Sequence, residues 1–107
     1  MKYSETDLMV LRKLGRTTTQ QAIATEIGYS VGKVNFVLKA LVEKGLVKAE
    51  RFVNAQSKIK YTYLLTEEGL KEKIALTQMF IERKKEEYDA LQKDMQEYKE
   101  QGLVTTL

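Results

Sequence analysis

A mainly α fold with one small β-hairpin is what this chain predicts, and three observations carry the prediction. Apolar residues recur at helical spacing in three short blocks within the first 45 residues. Two seven-residue strand-like stretches follow, at 46–52 and 59–65, separated by a polar tip. The rest of the chain, to about residue 101, keeps a helical period without a break, far longer than the first three blocks.

The first helix is expected over 4–14. Ser4 is placed to cap it, Asp7 three residues on completes a partial capping box, and Leu8, Val10, Leu11 and Leu14 supply the inner face before Gly15 ends it. A second helix starts at Thr18 or Thr19, whose hydroxyls can satisfy orphan backbone donors. It carries Ala22, Ile23 and Ile27 inward and stops at Gly28. After a Gly-Tyr-Ser turn, Ser30 caps the third helix, which buries Val34, Leu38 and Leu41 at spacings of four and three. Two short amphipathic helices joined this way, within 17–48, form a helix-turn-helix, and the second one is the element that enters a DNA major groove.

That placement assigns candidate contacts. Ser30, Val31, Gly32, Lys33, Asn35, Phe36 and Lys39 lie at the opening or on the outer face of the third helix. Lys and Asn can donate to acceptors on base edges, and apolar groups can meet a thymine methyl. Gly45 then caps the helix, and the strands 46–52 and 59–65 make a hairpin, the second strand alternating Ile59, Tyr61, Tyr63 and Leu65 onto one face. The tip 53–58 is too long for a two-residue turn. Three helices followed by a hairpin make a winged helix-turn-helix. Arg51, Lys58 and Lys60 therefore read as phosphate contacts of the wing, with Asn54, Gln56 and Ser57 at its polar tip within reach of phosphate, sugar or base edge.

The final helix opens at Thr66 with Glu67 and Glu68, acids favoured at the positive end of a helix dipole. Roughly 50 Å of helix at 1.5 Å per residue exceeds what a domain of this size can cover. Leu70, Ile74, Ile81, Tyr88, Leu91, Met95 and Tyr98 follow a near-heptad spacing, interrupted by Thr77 and Lys84 and widened by Met79 and Phe80. A seam so placed is expected to pair with a second copy. The organisation expected is a DNA-binding domain at 1–65, a coiled-coil-like dimerisation helix at 66–101, and a tail at 102–107 without a role.

Charge divides along the same line. Residues 1–65 carry 11 Lys plus Arg against 5 Asp plus Glu, an excess of +6, while residues 66–107 carry 7 against 10. Cations concentrated beside the helix-turn-helix are the expected footprint of phosphate neutralisation; the competing reading of so modest an excess is a solvated surface. The sequence contains no cysteine and no histidine. This excludes a disulfide framework and a thiolate zinc site and removes the usual general base, so no cofactor, no metal and no catalysis are expected. No apolar run reaches the ~20 residues of a membrane span, and the opening residues lack the apolar core of a signal peptide, so a cytoplasmic location is expected.

Gly28, the SVGKVN at 30–35, the LKALVEKGLVK at 38–48 and the YLLTEEG at 63–69 resemble MarR-type winged-helix regulators, most closely the short branch associated with exopolysaccharide loci. The resemblance covers nearly the whole chain. EKGLV and LTEEG are shared by many winged-helix families and specify fold, whereas GKVN followed by LKALVEKGLVK is narrower. The resemblance implies a bacterial dimeric transcription regulator whose recognition helix begins at Ser30. The chain is shorter than standard MarR proteins and has no room for their extra N-terminal helix, which shifts the expected dimerisation to the C-terminal helix and leaves any effector unspecified. Two rival functions belong to other classes: an architectural DNA binder with little sequence preference, and a winged-helix protein-interaction module. A module of the second kind would show acids or a broad apolar patch where this helix shows Lys33, Asn35 and Lys39.

Overall fold

The structure, a computed structural model, describes residues 2–15 and 19–104. Arg16, Thr17 and Thr18 lie outside the described residues, and with them the reading of Thr18 as a cap; so do the last three residues of the expected tail. The element order is α1 (Glu5–Lys13), α2 (Gln20–Ile27), α3 (Val31–Glu43), β1 (Val47–Val53), β2 (Ile59–Leu65) and α4 (Glu67–Glu100). The architecture is mainly helical with a two-stranded antiparallel hairpin, the winged helix-turn-helix with a long C-terminal helix.

Local chemistry accounts for the helix ends. The Ser4 hydroxyl accepts from the Asp7 amide at 3.2 Å while the Asp7 carboxylate accepts from the Ser4 amide at 2.7 Å, so the capping box on α1 is complete. Thr19 caps α2 through the Ala22 amide, and Ser30 caps α3 through the Lys33 amide at 3.1 Å. The far end of α3 closes in a Schellman motif: the Gly45 amide donates to the Val42 carbonyl, and the Leu46 amide to the Leu41 carbonyl, both at 3.0 Å. That geometry needs a left-handed residue, and Gly45 supplies it at φ +77°.

The chain divides into two units, Met1–Leu76 and Thr77–Leu107. In the first, Leu8, Val10, Leu11, Ile23, Val34, Leu38 and Leu41 form the buried centre where α1, α2 and α3 meet. Val37 joins them. On α2 the inner face differs from the expected one. Ile23 and Ala24 are buried, while Ala22 and Ile27 are half-buried, because a step of about 100° per residue sets Ala24 beside Ile23 and leaves Ala22 at the stripe's edge. The hairpin pairs Val47 with Leu65 at its base and Val53 with Ile59 at its end. β1 thus starts at Val47, one residue later than expected, because the Schellman turn consumes Leu46. Val53 extends the strand instead of belonging to the tip.

Burial falls along that hairpin. Val47 is buried and Leu65 and Tyr63 are half-buried, but Tyr61 and Ile59 are exposed. The alternation on β2 identified a face correctly, yet only its base is covered by the helices.

The start of α4 belongs to the first unit. Thr66 caps it, accepting from the Gly69 amide at 2.9 Å, and its hydroxyl donates to the Gly45 carbonyl at 2.6 Å. Gly69 is buried, and a Cβ there would overlap the Leu46 carbonyl oxygen and come within 2.9 Å of Leu65 Cδ1. Only glycine lets the helix pass this close. In this unit Leu76 is buried, whereas Leu70 and Ile74 are exposed. In the second unit Phe80 is buried and Ile81, Tyr88, Leu91, Met95 and Tyr98 are exposed. Local polar contacts there include Lys84 with Glu87 at 3.9 Å and Gln92 with the Tyr88 hydroxyl at 2.6 Å.

Candidate nucleic-acid interface

The outer face of α3 follows from its inner one. With Val34, Leu38 and Leu41 buried, about 100° per residue places Gly32, Phe36 and Lys39 opposite the core, with Lys33 and Asn35 on opposite flanks. Gly32, Lys33, Phe36 and Lys39 are exposed, and Asn35 is half-buried. Ser30 satisfies the Lys33 amide and its carbonyl accepts the Val34 amide at 3.1 Å. The amides of Val31 and Gly32 therefore remain as the orphan donors of the helix start, groups that suit a phosphate oxygen.

Lys33 has a defined position. Its ammonium lies 3.9 Å from the centroid of the Tyr29 ring, a cation–π contact. The Tyr29 hydroxyl donates to the Met9 thioether at 3.6 Å, which links the turn to α1. Tyr29 was not singled out from the sequence; its position four residues before Lys33, just ahead of a capped helix, was the available signal.

The wing is ordered by one side chain. Asn54 Oδ1 accepts from the amides of Gln56 and Lys58, both at 3.0 Å, and the Asn54 and Ser57 backbone amides close the loop through the Lys58 and Asn54 carbonyls. Ser57 takes a left-handed φ of +60°. The Asn54 carbonyl oxygen is thus committed to the turn, and only its amide nitrogen is left to donate outward. Gln56, Ser57, Lys58, Lys60 and Arg51 are exposed around it. Among the described residues no carboxylate pairs with Arg51, Lys58, Lys60, Lys33 or Lys39, whereas Lys48 is neutralised by Glu50 at 3.3 Å.

Two grooves flank the recognition helix. One, of about 550 Å³, runs between α3 and the hairpin, lined by Asn35, Lys39, Val42, Glu43, Ala49, Tyr61 and Tyr63. The other, of about 600 Å³, lies between the start of α2 and the wing, lined by Thr19, Gln21, Val31, Phe52, Asn54 and Ile59 among others. Gln20, Tyr61 and Tyr63 border both. Gln20 Nε2 donates to the Val31 carbonyl at 3.2 Å, fastening the opening of α2 to the opening of α3. The Tyr63 hydroxyl is pushed above its usual 10.0 by burial first and by Tyr61 second, and so stays a neutral donor and acceptor. Both tyrosines were read from the sequence as hairpin face residues; that they border grooves beside α3 depends on the strand register. Among the described residues, no group of three or more Asp or Glu side chains could hold a metal ion, and no helix is long and apolar enough to cross a membrane.

A capped helix with bare cations on its outer face, a basic hairpin beside it and a Schellman turn between them is the arrangement of a winged helix-turn-helix. Residues 4–48 match the family model described as winged helix-turn-helix DNA-binding. The match takes in the three helices; the hairpin and α4 are supplied by the structure. A candidate transcriptional regulator from Thermoplasma acidophilum superposes with a TM-score of 0.71 at 22% identity, over 80% of this chain and 89% of its own. MepR from Staphylococcus aureus, solved in complex with DNA, gives 0.67 at 24% identity over 94% of this chain and 75% of its own. PcaV from Streptomyces coelicolor, a transcriptional regulator solved with its natural ligand, gives 0.56 at 18% over 89% and 76%. These likenesses establish a shared fold. No curated protein matches the sequence significantly.

Proposed function

We propose that this chain is a sequence-specific double-stranded DNA-binding transcriptional regulator of the MarR type that acts as a homodimer. The observation that carries the reading is the set of cations without carboxylate partners among the described residues, Lys33 and Lys39 on α3 and Arg51, Lys58 and Lys60 on the wing, gathered on the two elements a winged helix applies to a duplex. The fold shared with MepR, a protein solved on DNA, supports it. In this reading residues 30–39 enter the major groove, the wing, with Arg51, Lys58 and Lys60 around its tip, follows the phosphate backbone, and residues 1–65 act as the DNA-binding domain.

Residues 66–101 form the dimerisation helix. Ile81 and Leu91 are 63% and 64% exposed, apolar surface that a second copy would remove from water. Most homo-oligomers close as two-fold pairs, and protein symmetry is then copied into a pseudo-palindromic site. The resemblance to the exopolysaccharide-associated branch supports such genes as targets, and the bacterial cytoplasm as the place of action.

Selection of bound duplexes from a random pool tests the proposal. The expected result is a recurring pseudo-palindrome with half-sites about 10 bp, or a multiple of it, apart. Tight binding with no enriched sequence would make the protein an architectural binder, and no retained DNA at all would leave a protein-interaction module.

A further inference from the structure

The side chain of Phe36 is 77% exposed at the middle of α3, on the face opposite the buried Val34, Leu38 and Leu41. An isolated exposed leucine needs no explanation, but a phenyl ring this bare, at the centre of the surface that carries the cations, does. Gly32 stands one turn earlier on the same line. Its φ lies outside the left-handed range and nothing lies within 4 Å of where its Cβ would be, so neither backbone conformation nor packing within the chain calls for glycine. Glycine inside a helix is unfavourable unless something else must come near.

The two features explain each other. Phe36 stands one turn beyond Gly32 on the same exposed line, and the open space at the Gly32 Cβ position leaves a shallow notch beside the ring. Lys33 and Lys39 flank that line with no carboxylate partner among the described residues, so the ring stands between two cations suited to an anionic duplex. Major-groove edges of duplex DNA offer one apolar group, the C5-methyl of thymine.

We infer that Gly32 and Phe36 form a thymine-methyl reader, which makes Phe36 a specificity-determining residue of the recognition helix. The inference rests on the DNA-binding reading above and deepens it: the preferred half-site contains a thymine recognised through its methyl group, at a position between the groups met by Lys33 and Lys39. Loss of one methyl contact corresponds to roughly a fourfold change in affinity, from about 0.8 kcal/mol per buried carbon and a tenfold change per 1.4 kcal/mol.

The test uses the duplex recovered by selection from a random pool, with each thymine replaced in turn by deoxyuridine, which removes the methyl and keeps every hydrogen-bonding group. Wild-type protein is expected to lose affinity by that factor at one thymine per half-site. Phe36→Ala is expected to bind the thymine and uracil duplexes equally, and Gly32→Leu, which fills the notch, to lose the same preference. Helicity by circular dichroism checks both variants, since neither side chain packs in the core. Indifference of the wild-type protein to uracil at every position overturns the thymine reader while DNA binding stands. A uracil penalty that persists in Phe36→Ala overturns it as well, by giving the methyl contact to another residue. Failure of the wild-type protein to retain any duplex removes the DNA-binding reading and this inference with it.

Discussion

The Lys33 ammonium rests 3.9 Å above the Tyr29 ring, and the Tyr29 hydroxyl is held by Met9, so the cation nearest the start of the recognition helix is positioned by α1 through the turn. A lysine held this way loses less rotamer freedom on meeting a ligand than a free one, whose side-chain entropy is about 2 kcal/mol. Lys33→Ala is expected to weaken binding to the selected duplex by about 1 to 3 kcal/mol and to relax preference at one base pair. Tyr29→Leu should give a smaller loss at the same base pair, and the double mutant should lose less than the sum. Fluorescence anisotropy on the four proteins reads the coupling directly.

The wing is expected to act through phosphate alone. Arg51→Ala, Lys58→Ala and Lys60→Ala should each weaken binding to selected and unselected duplexes alike, and each lost contact should flatten the slope of log affinity against log salt by about one. An unchanged slope in the triple mutant would take the wing out of the interface.

Gly69→Ala is expected to destabilise the domain by about 2 kcal/mol or more, in the upper part of the range for overpacking, because the added methyl meets the Leu46 backbone and not a side chain that can turn away. Urea unfolding followed by circular dichroism measures it. A midpoint equal to wild type would mean that α4 can shift at its start without cost.

Ile81→Asp and Leu91→Asp test the dimer cleanly, since both side chains are exposed within the single chain and neither should disturb its folding. Each should move the protein toward monomer in sedimentation equilibrium and weaken operator binding, although neither residue lies on the proposed DNA-binding elements. A dimer that survives both would have its interface elsewhere, and a wild-type monomer at tens of micromolar would end the homodimer reading.

Tyr63 gives the alkaline limb of stability a defined sign. Its hydroxyl holds its proton more tightly in the folded chain than at the ordinary 10.0, so the stabilisation from burying the neutral phenol is complete below pH 10 and is lost as pH rises through the folded value. Absorbance at 295 nm during an alkaline titration should show a late-ionising component from Tyr63. Tyr63→Phe should remove that component and reduce the loss of stability above pH 10.

Much of the fold was legible because its signals are local. Ser4 with Asp7, Ser30, Gly28 and Gly45 each act within a few residues of themselves, and the structure uses them as the sequence implied. What a sequence does not carry is how far a packed layer extends. The alternation of Ile59, Tyr61, Tyr63 and Leu65 names a face, but whether helices reach the end of that face depends on helix placement, and here they cover only its base. The same holds for the candidate site. Lys33, Asn35, Phe36 and Lys39 were found from spacing, whereas Tyr29 beneath Lys33 and Gln20 against Val31 depend on side-chain directions at a turn. Asn54 was read as within reach of phosphate, sugar or base edge, and its oxygen also shapes the loop, which leaves the amide nitrogen for such a contact, a use of asparagine that becomes clear only with the loop closed.

The two bonds that Thr66 makes, from its amide to the Leu46 carbonyl at 3.1 Å and from its hydroxyl to the Gly45 carbonyl at 2.6 Å, tie the chain to itself where the hairpin leaves and where it returns. Everything between those points is a closed circuit whose ends are already fixed. Lengthening such a circuit costs little, about 0.6 kcal/mol for each doubling of a flexible loop. The tip of the hairpin can therefore vary in length at little cost. Residues inserted beyond Asn54 would change how far the arm reaches along a duplex while the knot at Thr66 keeps the helices beneath it unaware of the change.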